Sequence, residues 1–325
     1  MKVFRDIRKL RNVKKPVFLA AGFFDGMHLG HRRLIDSALQ AATRSQGEAW
    51  LLTFEDHPKK SIKPADAPKL LTSTRHRLML MNSCGLDGCL LIEFDRRFAD
   101  MSAEHFVHTL KINCPTLAGI FIGENWRFGR QGKGDIALLK SLGDKLGFDV
   151  CPVKPALYAQ KPISSTRIRE SVKDARLSDA RKMLGRPFSV LGTVIRGRQV
   201  GKMLGYPTAN LSTCNEIMPP IGVYAVMVRI GNRIFQGVMN HGFRPTFPDA
   251  ASRTPISEIH ILSKHTPRLY NRELEVFIVK KIRNEHKFTS ITELSSRIAK
   301  DILAVKKYIP KSACHLIHFP CKKAK

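Results

Sequence analysis

Two histidines three residues apart lie where a predicted strand gives way to a predicted helix. His28 and His31 belong to the segment GFFDGMHLGH, which follows an apolar run from Val17 and precedes the amphipathic stretch RRLIDSALQAA. A glycine turn before a helix start gathers backbone N–H groups and the positive end of the helix dipole, so an anion binds there readily. Two imidazoles at that point can donate hydrogen bonds to a phosphoryl group during transfer. The segment predicts a phosphoryl-transfer site with Gly26 in its phosphate-binding turn; the alternative is that both histidines only cap or pack the turn.

A second predicted helix start carries hydroxyl groups and a guanidinium. Ser164, Ser165 and Thr166 come one turn before Arg169 in the segment ISSTRIR. Hydroxyls at a helix start and an arginine on the next turn can both bind phosphate oxygens. We expect these four residues to bind phosphate oxygens.

A third segment, GRQVGKMLGYPTAN over residues 197–210, predicts a different phosphate site. It is not a P-loop, because its Gly-Lys pair is not followed by Ser or Thr at a helix start. Glycines allow the backbone to approach phosphates closely, and a lysine neutralises their charge. The Thr208 hydroxyl and the Asn210 amide are oxygen ligands suited to Mg²⁺. The predicted phosphate-binding residues are Gly201, Lys202 and Gly205.

The three segments together resemble one known family. GFFDGMHLGH and ISSTRIR are similar to the two signatures of the nucleotidylyltransferases, the first in the flavin-type context F-D-G-x-H-x-G-H. GRQVGKMLGYPTAN is similar, nearly residue for residue, to the riboflavin kinase signature. The chain is identified as a member of the bacterial bifunctional riboflavin kinase and FMN adenylyltransferase (FAD synthetase) family over about residues 16–303. The resemblance implies that riboflavin is phosphorylated to FMN and FMN adenylylated to FAD, with ATP and flavins as substrates and Mg²⁺ as cofactor.

The resemblance also implies roles for residues of the second half. Glu258 corresponds to the base that takes the proton of the riboflavin 5′-hydroxyl, although a glutamate in ISEIHI is also typical of an exposed strand position. Asn240 and Arg244, in the segment NHGFRPTF, either contact the flavin or fix a loop.

In the first half, the segments TFEDHP and GENWRFG resemble T-F-x-P-H-P and G-x-D-F-x-F-G of bacterial FAD synthetases. Asp56 stands where the family has proline, and Asn125 and Trp126 stand where it has Asp and Phe. Trp126 or Phe128 is expected either to stack on the flavin ring or to pack in the core, and we also assign Asn125 to this flavin site. These differences leave open a narrower enzyme that keeps kinase activity and has weakened FAD synthesis.

The remaining pattern predicts the elements that position these residues. Short apolar runs alternate with amphipathic stretches from Val17 to Val153, which predicts a doubly wound parallel α/β sheet. After Gly185, runs rich in Val, Ile and Phe predict an antiparallel barrel or sandwich, and the resemblance implies a barrel of six strands. The apolar period over residues 289–306 predicts a closing helix. The expected divisions are a nucleotidylyltransferase domain at 1–185, a kinase barrel at 186–306 and a basic tail at 307–325.

The composition limits the class of partner. The chain has 325 residues, with 55 Lys and Arg against 27 Asp and Glu, and the resulting +28 charge attracts polyanions. An RNA binder or a tRNA-handling relative is the alternative, because H-x-G-H also resembles the first signature of class I aminoacyl-tRNA synthetases. Such a synthetase would lack P-T-A-N and the β-rich half, and an RNA-binding module would interleave basic and aromatic residues, so we do not expect a nucleic-acid partner.

The same composition indicates a cytoplasmic protein without a membrane partner. No apolar run approaches the ~20 residues needed to cross a bilayer, and the basic N-terminus lacks a cleavage site of small residues. The 7 cysteines are odd in number and form no C-x-x-C pair, so neither a disulfide framework nor a zinc site is expected. The sequence makes no prediction of the oligomeric state.

Overall fold

The computed structural model describes most of the chain as two compact units. The described residues are 1–196, 205–213, 215–243, 255–263, 268–286 and 288–310. The first unit contains Met1–Lys69 and Arg77–Ser165, and the second contains Leu70–His76 and the described residues from Thr166 onward. Three predicted site residues, Gly201, Lys202 and Arg244, lie outside the described residues.

A parallel sheet of six strands lies at the centre of the first unit. Its strands are β1 (Lys2–Phe4), β2 (Val17–Ala21), β3 (Glu48–Phe54), β4 (Gly88–Ile92), β5 (Leu117–Gly123) and β6 (Asp149–Val153). Their order is β1-β4-β3-β2-β5-β6, and every neighbouring pair is parallel. The predicted doubly wound sheet is confirmed. The short edge strand β1 was not predicted, because the predicted alternation begins at Val17.

Alternate residues of the central strands enter two separate hydrophobic cores. Leu19 and Ala21 of β2 belong to one cluster, and Phe18 and Ala20 belong to the other. A parallel sheet buried on both faces requires such continuous apolar runs. The helices with residues in this unit are α1 (Leu29–Arg44), α2 (Pro58–Ile62), α3 (Thr74–Asn82), α4 (Arg96–Ala99), α5 (Ala103–Asn113) and α6 (Ile136–Leu146). Short 3₁₀ helices lie at Ile7–Asn12, Pro64–Asp66 and Arg130–Gly132, and a small hairpin pairs β7 (Leu157–Tyr158) with β8 (Lys161–Pro162).

The second unit is built on a closed antiparallel barrel of six strands. They are β9 (Phe188–Ile195), β10 (Thr208–Thr213), β11 (Gly222–Ile230), β12 (Arg233–Gly242), β13 (Ile256–Ile261) and β14 (Glu273–Arg283). Around the barrel they follow the order β10-β13-β12-β11-β14-β9. The helices are α7 (Ser165–Lys173), whose first residue belongs to the first unit, α8 (Leu177–Leu184) and α9 (Ile291–Tyr308). The predicted barrel and the predicted C-terminal helix are both confirmed.

Two local features explain where these elements differ from the sequence pattern. The helix predicted over 289–306 begins two residues later, because the Ser290 hydroxyl accepts the Glu293 N–H while the Glu293 carboxylate accepts the Thr289 N–H. This arrangement differs from a capping box in that the carboxylate binds the N–H of the residue before the N-cap. Strand β10 is not among the apolar runs that predict the barrel, yet it pairs with both β9 and β13 and so leaves no open edge between them. None of the helices in the described part of the chain has the length and apolar character to span a membrane.

We expect Gly88→Ala to destabilise the first unit. A Cβ at Gly88 would lie 2.3 Å from the ring of the fully buried Trp50, so the indole would have to move within a packed core. Overpacking of this kind costs about 1–3 kcal/mol. The matched control is Gly123→Ala in the same sheet, where a Cβ would meet no heavy atom within 4 Å. Chemical denaturation of both variants checks this, and equal losses of unfolding free energy would contradict it.

Candidate active sites

A left-handed turn joins β2 to α1. Phe24, Gly26 and Met27 have φ angles of 59°, 76° and 44°. Phe24 and Met27 are fully buried, although non-glycine residues rarely adopt positive φ. Such backbone costs roughly 1–3 kcal/mol per residue and persists only where the surrounding packing holds it. The turn places His28 at the N-cap of α1. We call the segment from Phe24 to His31 the histidine turn.

The two histidines stack on each other at this helix start. Their ring centroids are 3.5 Å apart with an interplanar angle of 15°. The backbone N–H of His31 donates to Nδ1 of His28 at 3.2 Å, so the proton of a neutral His28 ring lies on Nε2. Burial, then the neighbouring His28 and Arg77, hold the pKa of His31 well below its usual value of 6.5. Nδ1 of His31 is buried and has no hydrogen-bond partner in the described residues. His28 therefore caps the helix, both imidazoles lie at its start, and burial favours the neutral form of His31.

Glycine at position 30 allows this stacking. A Cβ there would lie 3.0 Å from Cε1 and 3.1 Å from Nδ1 of His28. Ser165 joins the same turn, because its hydroxyl donates to the carbonyl of Asp25 at 3.0 Å. Of the residues predicted to bind phosphate, the structure thus brings Ser165 to the histidine turn, with Ser164 before it and Thr166 and Arg169 after it along α7.

The predicted flavin residues of the first unit follow β5, which pairs with β2, so they share the carboxyl edge of the sheet with the histidine turn. Trp126 and Phe128 stack with centroids 4.7 Å apart and an interplanar angle of 14°. Phe128 is 8% exposed and belongs to the hydrophobic core, Trp126 is half-buried, and Asn125 is exposed. Phe128 therefore supports one face of Trp126 from the core side. Asp56 forms an ion pair with Lys60 at 3.0 Å.

In the second unit, strand register brings three predicted residues into one row. Glu258 on β13 lies directly opposite Asn210 on β10 and Asn240 on β12. Directly paired residues of antiparallel strands share a face, with Cβ atoms about 5 Å apart. Thr208, two residues before Asn210, shares that face as well. Gly205, at the start of this described stretch, is exposed with a φ of 80°.

The two asparagines of this row have unsatisfied oxygens. Oδ1 of Asn210 and Oδ1 of Asn240 are both buried without a hydrogen-bond partner in the described residues. A buried polar atom left in this way costs about 1–3 kcal/mol, so the row is suited to a ligand with a positive charge or a hydroxyl donor. No group of three or more His, Cys, Asp or Glu within the described residues could hold a metal ion. The buried, unsatisfied Oδ1 of Asn210 is a candidate ligand for a cation.

A cleft of about 500 Å³ lies farther along the same side of the second unit. Val223 is opposite Asn240 on one neighbour and opposite Arg283 on the other, which brings the row to the edge of the cleft. Arg283 forms an ion pair with the buried Asp301 at 2.8 Å, and its guanidinium lies 5.6 Å from the Phe288 ring. The lining residues are Arg283, Asn284, Glu285, His286, Phe288, Glu293, Ser296, Arg297 and Lys300. None of these lining residues was predicted as a site residue. The sequence feature that could have indicated them is the segment RNEHKF at 283–288.

Comparison with protein families places the two candidate sites in the ranges of two different family models. A family model described as FAD synthetase matches residues 10–167. A second model, described as riboflavin kinase, matches residues 184–309. The histidine turn lies in the first range, and the Asn210, Glu258 and Asn240 row lies in the second.

Curated relatives match the whole length. A bifunctional riboflavin kinase/FMN adenylyltransferase of Buchnera aphidicola is 37% identical, over 95% of this chain and 99% of the relative. The proteins of the same name from Escherichia coli and Bacillus subtilis are 35% and 32% identical, over 95% and 87% of this chain and 98% and 89% of theirs. A crystal structure described as a macrolide-efflux protein from Streptococcus pneumoniae is 27% identical with a TM-score of 0.82, and the match covers 95% of this chain and 100% of that one.

We predict that the ring of His31 titrates at a lower pH than that of an unstructured histidine, whose pKa is about 6.5. Because the unfolded chain then binds a proton that the folded chain does not, this histidine lowers the free energy of unfolding as pH falls below about 6.5. A histidine NMR titration, with His31→Gln to assign the signal, measures the pKa directly. A midpoint at or above the ordinary value would contradict the burial of this ring.

Proposed function

Because the chain belongs to the family of bifunctional riboflavin kinases and FMN adenylyltransferases, which make FMN from riboflavin and FAD from FMN, we propose that each unit carries one reaction. The first unit would adenylylate FMN, and the barrel unit would phosphorylate riboflavin. The observation that carries this division is that each constellation lies inside its own family model: the His28 and His31 pair within 10–167, and Glu258 with its two asparagines within 184–309.

In adenylyl transfer, the phosphate of FMN attacks the α-phosphorus of ATP and pyrophosphate leaves. Negative charge grows on the α-phosphoryl oxygens, and the N–H groups of His28 and His31, with the start of α1, would donate hydrogen bonds to them. Support comes from the stacked pair, which presents both rings at one helix N-terminus. A neutral imidazole still has one N–H group with which to donate. The proposed phosphate-binding residues of this site are Gly26, Ser164, Ser165, Thr166 and Arg169.

In the kinase reaction, Glu258 would take the proton of the riboflavin 5′-hydroxyl as that oxygen attacks the γ-phosphorus of ATP. ADP is the leaving group. The unsatisfied Oδ1 of Asn240 beside Glu258 is suited to accept a hydrogen bond from a substrate hydroxyl and so to orient it. Phosphate contacts are proposed for Gly201, Lys202 and Gly205, and a flavin contact for Arg244; of these, only Gly205 is among the described residues.

Thr208 and Asn210 would hold Mg²⁺ in this reaction. The fit rests on the buried, unsatisfied Oδ1 of Asn210 and on the shared face of the two residues, since Mg²⁺ prefers oxygen ligands and usually completes its shell with phosphates and water. When bound, Mg²⁺ neutralises the charge of the β- and γ-phosphates.

Two surfaces are proposed for the flavin ring. In the first unit, Trp126 would stack on FMN with Asn125 beside it, and Phe128 would support the indole from behind. An aromatic platform is therefore retained despite the Trp126 substitution, which favours FAD synthesis over the kinase-only alternative. In the second unit, the 500 Å³ cleft beside Arg283 falls within the usual range for small-ligand sites, and we assign it to riboflavin.

We further propose domain limits of 1–185, 186–306 and 307–325. The C-cap Gly185 has a φ of 75° and ends α8, and β9 begins at Phe188.

We propose a cytoplasmic location and no nucleic-acid or membrane partner. The described cysteines Cys84, Cys89, Cys114 and Cys151 are free thiols, and burial raises the pKa of Cys89 to about 12 and of Cys114 to about 11. Unreactive free thiols are typical of a reducing compartment.

We expect single substitutions to separate the two activities. His31→Ala should lower FAD formation from FMN by about 10²–10³-fold, because a donor to the developing charge is lost, and should leave FMN formation unchanged. Glu258→Ala should lower FMN formation by about 10²–10⁴-fold and spare FAD formation when FMN is supplied. Chromatography of riboflavin, FMN and FAD measures both activities, and circular dichroism of each variant reports whether it is folded. Loss of both activities in a folded variant would contradict the division.

A further inference from the structure

Arg77, on α3, is a fully buried cation in the first unit and is absent from every motif that predicts the site. Its Nη1 donates to the carbonyl oxygen of Phe23 at 3.3 Å. Its Nη2 donates to the carbonyl oxygens of Phe54 and Glu55 at 2.5 Å and 2.8 Å. The guanidinium carbon also lies 4.4 Å from the centroid of the Phe23 ring. One side chain thus holds three backbone oxygens and an aromatic face.

These contacts join two neighbouring strand ends. Phe23 follows β2, and Phe54 ends β3, which pairs with β2 in parallel. The Thr53 hydroxyl donates to the same Phe23 carbonyl at 3.1 Å, so that oxygen is held from two directions. A guanidinium binds these acceptors with donors held in a fixed planar fork, whereas the donors of a lysine ammonium radiate from one nitrogen and do not reproduce that geometry. The residue held in this way is immediately before Phe24, where the left-handed turn begins.

Burying this cation is not an efficient way to stabilise a fold. Burial lowers the pKa of Arg77, an effect opposed by nearby acidic groups, and its Nε is buried without a hydrogen-bond partner in the described residues. Even a buried charge with partners is weak evidence for stability, because the cost of removing it from water can exceed what its contacts return. A role at the adjacent site accounts for a charge that stability alone does not require.

We infer that Arg77 is a positioning residue for adenylyl transfer, which fixes the carbonyl and ring of Phe23 and thereby the turn that presents His28 and His31 to the transferred phosphoryl group. The inference rests on the proposed role of the two histidines.

The charge of Arg77 gives this role an electrostatic readout. After burial and His28, Arg77 is the third cause that holds the pKa of His31 low. Without that charge the pKa of His31 rises toward its ordinary value, so a larger fraction of the ring is protonated in mild acid. The decline in the rate of FAD formation at low pH, called the acid limb, therefore moves to higher pH. The groups that act on Arg77 itself are Asp25, Cys89, Asp56 and Glu55.

The test compares Arg77→Met, Arg77→Lys and Arg5→Met in the full chain. Arg5 is the matched control, because it is exposed and pairs at 3.2 Å with the side chain of Glu55, whose carbonyl Arg77 binds. The kcat and KM for FMN and ATP in FAD formation are measured from about pH 5.5 to about pH 8, the range in which histidine changes charge. Thermal unfolding of the same samples reports whether the first unit is folded, and riboflavin phosphorylation reports the same for the barrel unit.

For Arg77→Met we expect kcat to fall about 100-fold with KM changed less than about 3-fold, since misplacing catalytic groups by about 1 Å costs that much. The acid limb should move to higher pH. Arg77→Lys should restore the acid limb, because it keeps the positive charge. It should recover only about 10-fold of the lost kcat, because it lacks the forked guanidinium. Arg5→Met should match the parent chain.

A kcat for Arg77→Met within about 2-fold of the parent would overturn the inference, and so would a rise in KM alone, which indicates a binding role. If Arg77→Met does not fold, Arg77→Lys decides: a lowered kcat supports positioning by the fork, and an unchanged kcat overturns it. His31→Ala is run in parallel. If His31→Ala still makes FAD, the proposed histidine role fails; if it does not while Arg77→Met does, only the inference about Arg77 fails.

Discussion

Phe24, Gly26 and Met27 take left-handed backbone angles between a central strand of the parallel sheet and the first turn of α1. This turn is the constraint on which the adenylylation site depends. It lets the chain pass from strand to helix with His28 as the N-cap and its ring against His31. The strain is held by what surrounds it: Phe24 and Met27 are buried, and Ser165 binds the carbonyl of Asp25 inside the turn. The second nucleotide-binding motif thus stabilises the first.

The barrel unit builds its site by strand register instead. Glu258 reaches its neighbours because Asn210 and Asn240 lie directly opposite it on β10 and β12. No strained turn is required, but a one-residue slip of either strand would move an asparagine to the other face. Two phosphoryl-transfer chemistries in one chain therefore rest on different physical devices: a helix start in the first unit, and cross-strand pairing in the second.

The sequence predicted the features that depend on local pattern. The motifs, the parallel sheet and the barrel follow from periodicity, glycine turns and resemblance. Strand β10 was missed because TANLST has little apolar alternation, and the row around Glu258 could not be predicted because it depends on pairing between distant segments. Arg77 carried no signal at all. In the stretch TRHRLMLM it reads as an exposed helical arginine, and only tertiary packing buries it beside Phe23.

The central claim is that one chain carries two working sites that act in sequence. The most direct test is to incubate the purified protein with riboflavin, ATP and Mg²⁺ and to resolve riboflavin, FMN and FAD by chromatography over time. We predict that FMN accumulates first and FAD follows from it, because Glu258 and the stacked histidines are proposed to serve successive reactions. Accumulation of FMN without FAD, even when FMN and ATP are abundant, would contradict a functional adenylylation site at the histidine turn.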